Sequence, residues 1–425
     1  ENWLRTGCQR RNKTITNRDG RLTLSDAPAI YFSRTTNHMI SILFLTTALP
    51  GESSNGGEIA TTNFLDALSQ AGHRLTVTGY ARPRAHYQTR PRETVIEERH
   101  IETDRAGVRS VIWFFTALTK NVAYSVSKYW SKKYIRAVTE LLTNGNFDLV
   151  IIDHAQIGFL RPYVIHKPVV LIAHNVENLI YEDQTSALSG LKKWLYAREA
   201  RCIRDMEHLL ARSSAMVWTL TEKDREYFCR IGARSKAFAI PSAFSTKPPQ
   251  ANQSDSDIVM LGTWTWKANA DGLRWFFEQV YPLLPADSRI EVGGKGAERI
   301  IGNRPNVVYR GFVADAHDFL TRSKVVAIPS VAGGGVQIKT LDAIATGASI
   351  VATPTAMRGI ECPPDTVRVA EKAKDFADHL ISFYKVRSKQ EDVVRALQWS
   401  ASRRLNFEKQ VAMSIEQAMS YPDRV

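Results

Sequence analysis

The chain of 425 residues contains few cysteines, and they are far apart in the sequence. The four positions are Cys8, Cys202, Cys229 and Cys362, and no two of them form a CxxC pair. This spacing excludes a disulfide framework and a zinc finger. Because so few cysteines are typical of a reducing compartment, we expect a cytoplasmic protein.

Long apolar runs are also missing from the sequence. No uninterrupted run approaches the roughly 18–20 residues that a membrane-spanning helix needs. The first 38 residues contain no apolar core of the kind that a signal peptide carries. We therefore interpret residues 1–38 as a basic leader and expect it to be poorly ordered.

Acidic residues are fewer than basic ones: the sequence has 43 Asp and Glu and 56 Lys and Arg, so its net charge is +13. A basic protein favours anionic partners. The segment 82–136 is the most basic, with twelve Arg and Lys against five Asp and Glu, and it carries Trp113-Phe114-Phe115. Basic residues among aromatics favour an anionic membrane surface, here the inner face, and without an RNA-binding motif we expect no nucleic acid. An amphipathic helix that packs its aromatics into the protein is the alternative.

Short apolar runs alternate with helix-like segments from residue 39 onward. Met39–Leu45 reads as a strand buried on both faces, and the helix-like segment Glu58–Ala71 and a second strand, Arg74–Thr78, follow it. Repeated strand–helix–strand units with unbroken apolar strands indicate parallel sheets covered by helices. The pattern predicts an α/β fold of two doubly wound domains.

A proline-rich polar segment divides the two domains. Residues 241–256 carry three prolines and many small polar residues, as an interdomain linker does. We therefore predict a first domain at 39–240 and a second at 257–405. The helical stretch 406–425 is expected to pack back on the first domain.

The loop after the first strand ends in Gly56-Gly57, directly before a helix. Backbone N–H groups at such a position can approach an anion, because ligands of parallel sheets lie beyond the carboxyl ends of the strands. The spacing is neither GxGxxG nor a P-loop, which disfavours a dinucleotide-binding fold and a Walker ATPase. A flexible turn is the alternative.

Polar residues also follow the predicted strand Pro168–His174. His174 stands at the strand's carboxyl tip, with Asn175 and Glu177 directly after it. His174 could bind a sugar hydroxyl or transfer a proton. A histidine that only caps the strand is the alternative.

The glycine-rich segment after the predicted strand Val325–Pro329 is the strongest signal. Gly333, Gly334 and Gly335 precede a helix that runs to Gly347. Free amides and the helix dipole favour an anion at this place. Lys339 could reach a diphosphate, and Asp342, three residues later on nearly the same face, could accept the hydroxyls of a ribose. A solvated Lys–Asp pair is the alternative.

Two glutamates, Glu199 and Glu207, stand eight positions apart on a predicted helix. Such a pair could belong to a catalytic site. Charged residues on a helix more often face solvent. We therefore interpret them as part of a solvated face.

The order of these motifs resembles the retaining glycosyltransferases of the GT-B fold, family 4 (glycosyl transferases group 1). The first half is similar in ISILFLTTALP, in the GG loop, in GHRLTVTGY and in HNVE. The second half is similar in DIVMLGTWTWKANADGLRWF, NVVYRGFVADAHDFLTRSKVVAIPS and K-x-x-D-A-I-A-x-G. The likeness covers residues 40–400. It implies two Rossmann-like domains facing across a cleft, the first on the acceptor side and the second binding the nucleotide sugar.

The resemblance also implies a role for each candidate residue. The residues expected to bind the donor are Gly56, Gly57, Thr263, Lys267, Gly334, Gly335, Lys339 and Asp342. Those expected to be catalytic are His174, near the transferred sugar and the acceptor, and Lys339, which would neutralise diphosphate charge. The family's pair of glutamates would fall at positions 334 and 342, where this chain has Gly334 and Asp342.

The activity that the resemblance implies is a metal-independent hexosyl transfer with retention, and it needs no cofactor. The partners are a nucleoside-diphosphate sugar and a glycan or lipid-linked acceptor, as in polysaccharide or glycoconjugate synthesis. Two alternatives stay open. One is a nucleotide-sugar epimerase of the same fold, and the other is a non-catalytic module that binds nucleotide sugars.

Overall fold

The structure is a computed structural model that describes residues 39–51, 56–83, 93–101, 107–186, 188–242, 256–385 and 390–421. Residues 39–425 form one compact unit that contains two separate β-sheets. The predicted leader at 1–38 and nearly all of the predicted linker lie outside the described residues.

The first sheet has seven parallel strands in the order β3-β2-β1-β4-β5-β6-β7. Its strands are β1 (Ser41–Ala48), β2 (Arg74–Ala81), β3 (Glu93–Glu98), β4 (Leu149–Asp153), β5 (Val169–Ala173), β6 (Met216–Thr219) and β7 (Ser235–Ala237). The connections contain the helices α1 (Gly56–Gln70), α2 (Val108–Thr119), α3 (Tyr124–Ser127), α4 (Lys132–Asn144), α5 (Glu177–Ser186), α6 (Gly190–Ser213) and α7 (Glu222–Arg230). A 3₁₀ segment, Ala155–Tyr163, follows β4.

The second sheet has six parallel strands in the order β10-β9-β8-β11-β12-β13. Its strands are β8 (Ser256–Leu261), β9 (Ile290–Gly293), β10 (Val307–Gly311), β11 (Ser323–Ile328), β12 (Ile350–Ala352) and β13 (Val367–Val369). The helices of this half are α8 (Lys267–Trp275), α9 (Glu298–Ile301), α10 (Ala316–Thr321), α11 (Ile338–Ala345), α12 (Ala373–Lys385) and α13 (Gln390–Met419). The chain continues from α8 through a π turn, Phe276–Val280, and a 3₁₀ turn, Tyr281–Leu283.

Strand β1 shows why the apolar runs form central strands. Ile42 and Phe44 pack into one hydrophobic cluster, whereas Leu43 and Leu45 pack into another. Successive side chains of a strand point to opposite faces, so a continuous apolar run fits a strand that helices cover on both sides. β1 accordingly lies between β2 and β4.

The strand order fixes where a ligand can bind. In the first sheet the order reverses between β1 and β4, and in the second it reverses between β8 and β11. Ligands of open parallel sheets bind beyond the carboxyl ends of the strands at these switch points. The loops that follow β1, β4, β8 and β11 are therefore expected to border a site.

Helix α13 packs against both halves of the molecule, and it spans the predicted boundary at 405/406. It is one helix of 30 residues, and buried residues recur along it from Val393 to Ala418. Val393 packs on Gly347 of the second half, while Phe407 lies 5.1 Å from Phe64 of α1 between ring centroids. No helix in the described ranges is both long and apolar enough to cross a membrane.

Candidate functional site

The carboxyl end of β4 carries a buried aspartate with a full set of partners. Asp153 is the last residue of β4 and lies opposite Thr46 of β1 in the strand register. Thr46 and Thr61 each donate a hydroxyl hydrogen bond of 2.8 Å to Asp153 Oδ2. His174 Nε2 lies 2.7 Å from Asp153 Oδ1. The carboxylate thus ties His174, which directly follows β5, to the neighbouring strands.

A second histidine covers this pair. His154 directly follows Asp153 with φ of 81°, and its ring stacks on the His174 ring at 3.8 Å between centroids. Burial alone would raise the pKa of Asp153, but the two histidines and the hydrogen bonds hold it at about 2. Burial and the neighbouring His174 lower the pKa of His154 to about 4, against the attraction of Asp153. At neutral pH the site therefore holds an ionised Asp153 beside a neutral His154.

The same three side chains are of the kind that bind metals, with one donor atom each within 4.8 Å of the others. Zinc ligands at about 2.0–2.2 Å in a tetrahedral site lie roughly 3.3 Å apart. The 2.7 Å contact between Asp153 and His174 is shorter and is a hydrogen bond. The arrangement is that of an Asp–His pair.

The glycine-rich loop between β11 and α11 reaches across to the first half of the molecule. Gly333 and Gly335 have φ of 121° and 64°, and Arg358 donates to the Gly333 carbonyl. A Cβ atom on Gly335 would lie 2.5 Å from Asn175 Oδ1, and one on Gly334 would lie 3.3 Å from the same atom. Glycine is needed here because the backbone of one domain passes so close to the other. The loop thus adjoins the segment that carries His174.

The N-termini of two helices meet beside this loop. Helix α1 begins at Gly56 and helix α11 begins at Ile338. A Cβ atom on Gly56 would lie 3.4 Å from Ile338 Cγ1. Gly57 is the second residue of α1. The positive ends of two helix dipoles, one from each domain, therefore converge at one place, which favours an anion there.

Lys339 follows at the second position of α11. Its Nζ donates a hydrogen bond of 2.9 Å to Asn269 Oδ1 and lies 6.0 Å from the centre of the Trp264 ring. Burial lowers the pKa of Lys339 to about 8. A lysine with a lowered pKa, held by a neutral amide, is suited to gaining an anionic partner.

Asp342 lies one turn further along α11. Its Oδ1 accepts a hydrogen bond of 2.7 Å from Ser242 Oγ, at the end of the first domain. A cavity opens on this side of the helix, and its lining is mostly apolar apart from Lys339 and Asp342. The lining residues are Leu261, Ala316, Leu320, Val326, Ala327, Ile328, Lys339 and Asp342.

The two candidates in the loop after β8 are placed less favourably. Lys267 is 85% exposed, and its Nζ pairs with Asp271 Oδ2 at 2.5 Å. Thr263 is exposed, and its carbonyl accepts from Asn269. Their neighbour Trp266 does approach the glycine-rich loop, 3.7 Å from a Cβ built on Gly333. The loop therefore borders the site, while the Lys267 ammonium is directed to Asp271.

The interpretation of Glu199 and Glu207 as a solvated face is wrong. Glu207 is fully buried and accepts the backbone N–H of Glu177 at 2.7 Å, which caps the start of α5. Glu199 is also buried and accepts the backbone N–H groups of Tyr124 and Ser125, where α3 begins. Carboxylates satisfy the free N–H groups of a helix N-terminus, which explains their burial. They support the elements around the site.

Sequence analysis missed four residues that the structure places at the site. Asp153 is hydrogen-bonded to His174, and His154 stacks on the ring of His174. Asn269 accepts a hydrogen bond from Lys339, and Arg358 donates one to the Gly333 carbonyl. For Asp153 and His154 a signal existed, because they directly follow the apolar run at 149–152, as His174 follows the apolar residues of its predicted strand. Asn269 and Arg358 carry no comparable local signal.

Comparison with known proteins finds a family model and solved structures that this chain resembles. A family model described as glycosyl transferases group 1 matches residues 255–385. No curated protein matches the sequence significantly. At identities of 10–13%, the solved structures below show the shared fold.

Three solved structures illustrate the likeness. HepE from Anabaena, in complex with UDP and glucose, has a TM-score of 0.59 at 13% identity, over 89% of this chain and 99% of that chain. TarM of S. aureus has a TM-score of 0.59 at 10% identity, over 90% and 99%. WaaG, a glycosyltransferase involved in lipopolysaccharide biosynthesis, has a TM-score of 0.56 at 13% identity, over 89% and 99%. The match to the family model is thus confined to the second domain, and the two sheets of this chain have the GT-B arrangement of these structures.

Proposed function

We propose that this protein transfers a hexose with retention from a nucleoside-diphosphate sugar to a hydroxyl of a glycan or lipid-linked acceptor. The observation that carries the proposal is the meeting of the α1 and α11 N-termini beside Lys339. Similar structures support it, since HepE is described with UDP-glucose and WaaG with lipopolysaccharide biosynthesis. The setting would be polysaccharide or glycoconjugate synthesis at the cytoplasmic face of a membrane.

Stabilising the negative charge on the leaving diphosphate is the main catalytic requirement of such a transfer. As the bond from the anomeric carbon to the phosphate oxygen breaks, negative charge grows on that oxygen. The N–H groups at the starts of α1 and α11 and the ammonium of Lys339 are positioned to stabilise it. Because these groups supply positive charge, we propose a transfer that needs neither a metal ion nor a cofactor.

The donor nucleoside would lie along α11. Asp342 would accept hydroxyl hydrogens from the ribose, as its present contact with Ser242 Oγ shows that it can accept from a hydroxyl. The apolar cavity beside Asp342 would take the base. The sugar would then extend toward the glycine-rich loop and His174.

His174 is the side-chain candidate for taking up the acceptor's proton. The ionised Asp153 accepts from Nε2–H, which leaves Nδ1 as the basic atom of the ring. Nδ1 is buried and has no hydrogen-bond partner among the described residues. The acceptor oxygen would bond to the anomeric carbon, and its proton would pass to Nδ1 or to the leaving phosphate. Asp153 is then a positioning residue, since it acts through His174.

The experiment is a screen for nucleoside-diphosphate release from UDP-, GDP- and ADP-sugars. With the donor that is turned over, Lys339→Ala should lower kcat by about 100-fold or more, because a charged stabiliser of the leaving group is lost. Lys324→Ala is the matched control, since Lys324 is an exposed lysine that pairs with Asp257 at the start of the second sheet. Its turnover should stay near wild type, and both variants should keep the wild-type melting temperature within a few degrees.

The same screen separates the proposal from its alternatives. An epimerase would convert the donor sugar without an acceptor and without releasing nucleotide. A binding module would bind nucleotide with no turnover at all. Full turnover in Lys339→Ala would remove Lys339 from the mechanism.

A further inference from the structure

Helix α2 exposes an unusual amount of apolar surface. Val108, Ile112 and Phe115 are 78%, 57% and 59% exposed, and they share one face of the helix by their spacing. Val111, Phe114 and Leu118 are exposed beside them. The opposite face is apolar as well and is buried through Trp113 and Ala117. A contiguous exposed apolar face of this kind marks an interaction site.

The start of α6 continues this surface. Leu191 and Trp194 are 72% and 53% exposed, and they lie on the same stripe of α6 as Arg198. The Arg198 guanidinium donates hydrogen bonds to the backbone carbonyls of Ala117 and Val122, at the end of α2. The first turns of α6 therefore lie beside α2. We call the exposed apolar residues of α2 and of these turns of α6 the patch.

The charged side chains on α2 and on the first turns of α6 are all cationic. Residues 107–136 contain six Arg and Lys and no Asp or Glu. Exposed Lys192 and Lys193 flank Trp194 on α6. Within α6 the nearest carboxylate, Glu199, is buried and is used to cap α3. An apolar centre with a cationic rim matches an anionic lipid surface, where aromatics enter the headgroup region and lysines meet phosphates.

The patch lies one helix away from the candidate site. Tyr196 of α6 packs against Tyr181 of α5 at 6.3 Å between ring centroids. Ile180, the neighbour of Tyr181 on α5, has its Cδ1 atom 3.4 Å from a Cβ built on Gly334. Helix α5 therefore connects the patch directly with the glycine-rich loop.

We propose that α2 and the first turns of α6 dock on an anionic lipid bilayer, with α2 lying in the headgroup region parallel to the membrane. At 1.5 Å per residue, the twelve residues of α2 cover about 18 Å of that surface. Docking there would present the cleft to an acceptor held in the membrane. That role for the acceptor rests on the proposed transfer, whereas the docking itself does not.

The test is co-sedimentation of the full chain with vesicles of phosphatidylcholine alone or with 30 mol% phosphatidylglycerol. Wild type should partition at least 10-fold better into the anionic vesicles and be released by 0.5 M salt. Ile112→Ser/Phe115→Ser should lose binding by about 10-fold or more. Lys192→Gln/Lys193→Gln should lose about 30-fold. All these side chains are exposed, so the melting temperature should not change.

Matched controls keep the result specific. Leu405→Ser/Met413→Ser removes two apolar side chains of similar exposure from α13, and Lys372→Gln/Lys374→Gln removes two exposed charges near α12. Both should bind vesicles as wild type does. Absence of vesicle binding, equal binding to both vesicles, or equal loss in the controls would overturn the proposal. So would a dimer that only Ile112→Ser/Phe115→Ser abolishes without any vesicle binding, since the patch would then hold a second copy.

Nucleotide binding, measured by calorimetry on the same samples, separates this inference from the proposed function. Vesicle binding without donor binding would support the docking surface and contradict the proposed transferase activity. Donor binding without vesicle binding would do the reverse.

Discussion

Lys339 combines two requirements that usually oppose each other. In its proposed role it must be cationic to stabilise a diphosphate, yet burial disfavours the charged form and lowers its pKa to about 8. Its hydrogen-bond acceptor is the neutral Asn269, so no carboxylate there competes with the nucleotide. Binding of a dianionic diphosphate would stabilise the ammonium and raise its pKa again.

This linkage predicts a pH dependence of nucleotide affinity. Below pH 8 the free protein already carries the proton, so Kd should be flat. Above pH 8 the free lysine is neutral and must take up a proton on binding, so Kd should rise about tenfold per pH unit. Isothermal titration calorimetry of the nucleoside diphosphate between pH 6.5 and 9.5, in buffers of different ionisation enthalpy, measures both Kd and proton uptake.

The control is Lys339→Arg, because a guanidinium stays charged across this range. Whatever the absolute Kd of this variant, that Kd should not rise above pH 8. A wild-type Kd that does not change between pH 7 and 9.5, or an identical rise in Lys339→Arg, would contradict the assignment.

At the residue level, sequence reasoning finds side chains that end strands or follow glycine runs. His174, Lys339 and Asp342 are all recognised in this way, and their catalytic and binding roles stay predictions. Asp153 satisfies the same rule but is overlooked, since a charged residue at the end of an apolar strand looks like the strand's boundary. Asn269 and Arg358 act through contacts with segments about 70 and 25 positions away, which local patterns do not contain.

Among the elements, the two helix N-termini and the glycine-rich loop define the site. The loop can approach the first domain only because Gly335 carries no side chain, since a Cβ there would lie 2.5 Å from Asn175 Oδ1. Its φ of 64° also disfavours any residue with a Cβ. These two effects can be separated by experiment.

Gly335→Ala should cost about 1–2 kcal/mol of unfolding free energy through its backbone conformation. It should also lower turnover by about 10-fold or more, because the loop and Asn175 must move apart. Gly72→Ala is the control, with φ of 86° and open space around its Cβ position at the far end of α1. Urea denaturation and donor turnover measure the two effects. If both variants lose similar stability and both keep wild-type turnover, the close contact between the Gly335 loop and Asn175 is not needed for the reaction.

Central strands are predictable from the sequence, whereas two of the edge strands are not. Strands β1, β5 and β11 coincide to within a few residues with the predicted runs Met39–Leu45, Pro168–His174 and Val325–Pro329, since burial on both faces demands such runs. The edge strands β3 (Glu93–Glu98) and β13 (Val367–Val369) were not predicted, because they are only partly buried and β3 carries three glutamates. Helix α8 begins at Lys267 and loses its α-helical form after Trp275.

Over the whole molecule, the two halves are joined by α13 and by one buried arginine. Arg403 on α13 donates to the carbonyl of Ile240, where the first domain ends, and to the carbonyl of Gly359 in the second domain. Burial lowers the pKa of Arg403 to about 10. In the same arrangement of the two halves, the glycine-rich loop lies against Asn175, and Gly56 lies close to Ile338. Such joining depends on residues far apart in the chain, so the sequence predicted a helix here but not its extent.

The central claim is that a sugar nucleotide binds in a cleft built by both sheets. Hydrogen–deuterium exchange with saturating nucleoside diphosphate tests it most directly, because it reports on all segments at once. The account predicts slower exchange both in residues 330–345 of the second domain and in residues 56–60 and 174–180 of the first. Protection confined to one domain, or absent around the glycine-rich loop, would contradict it.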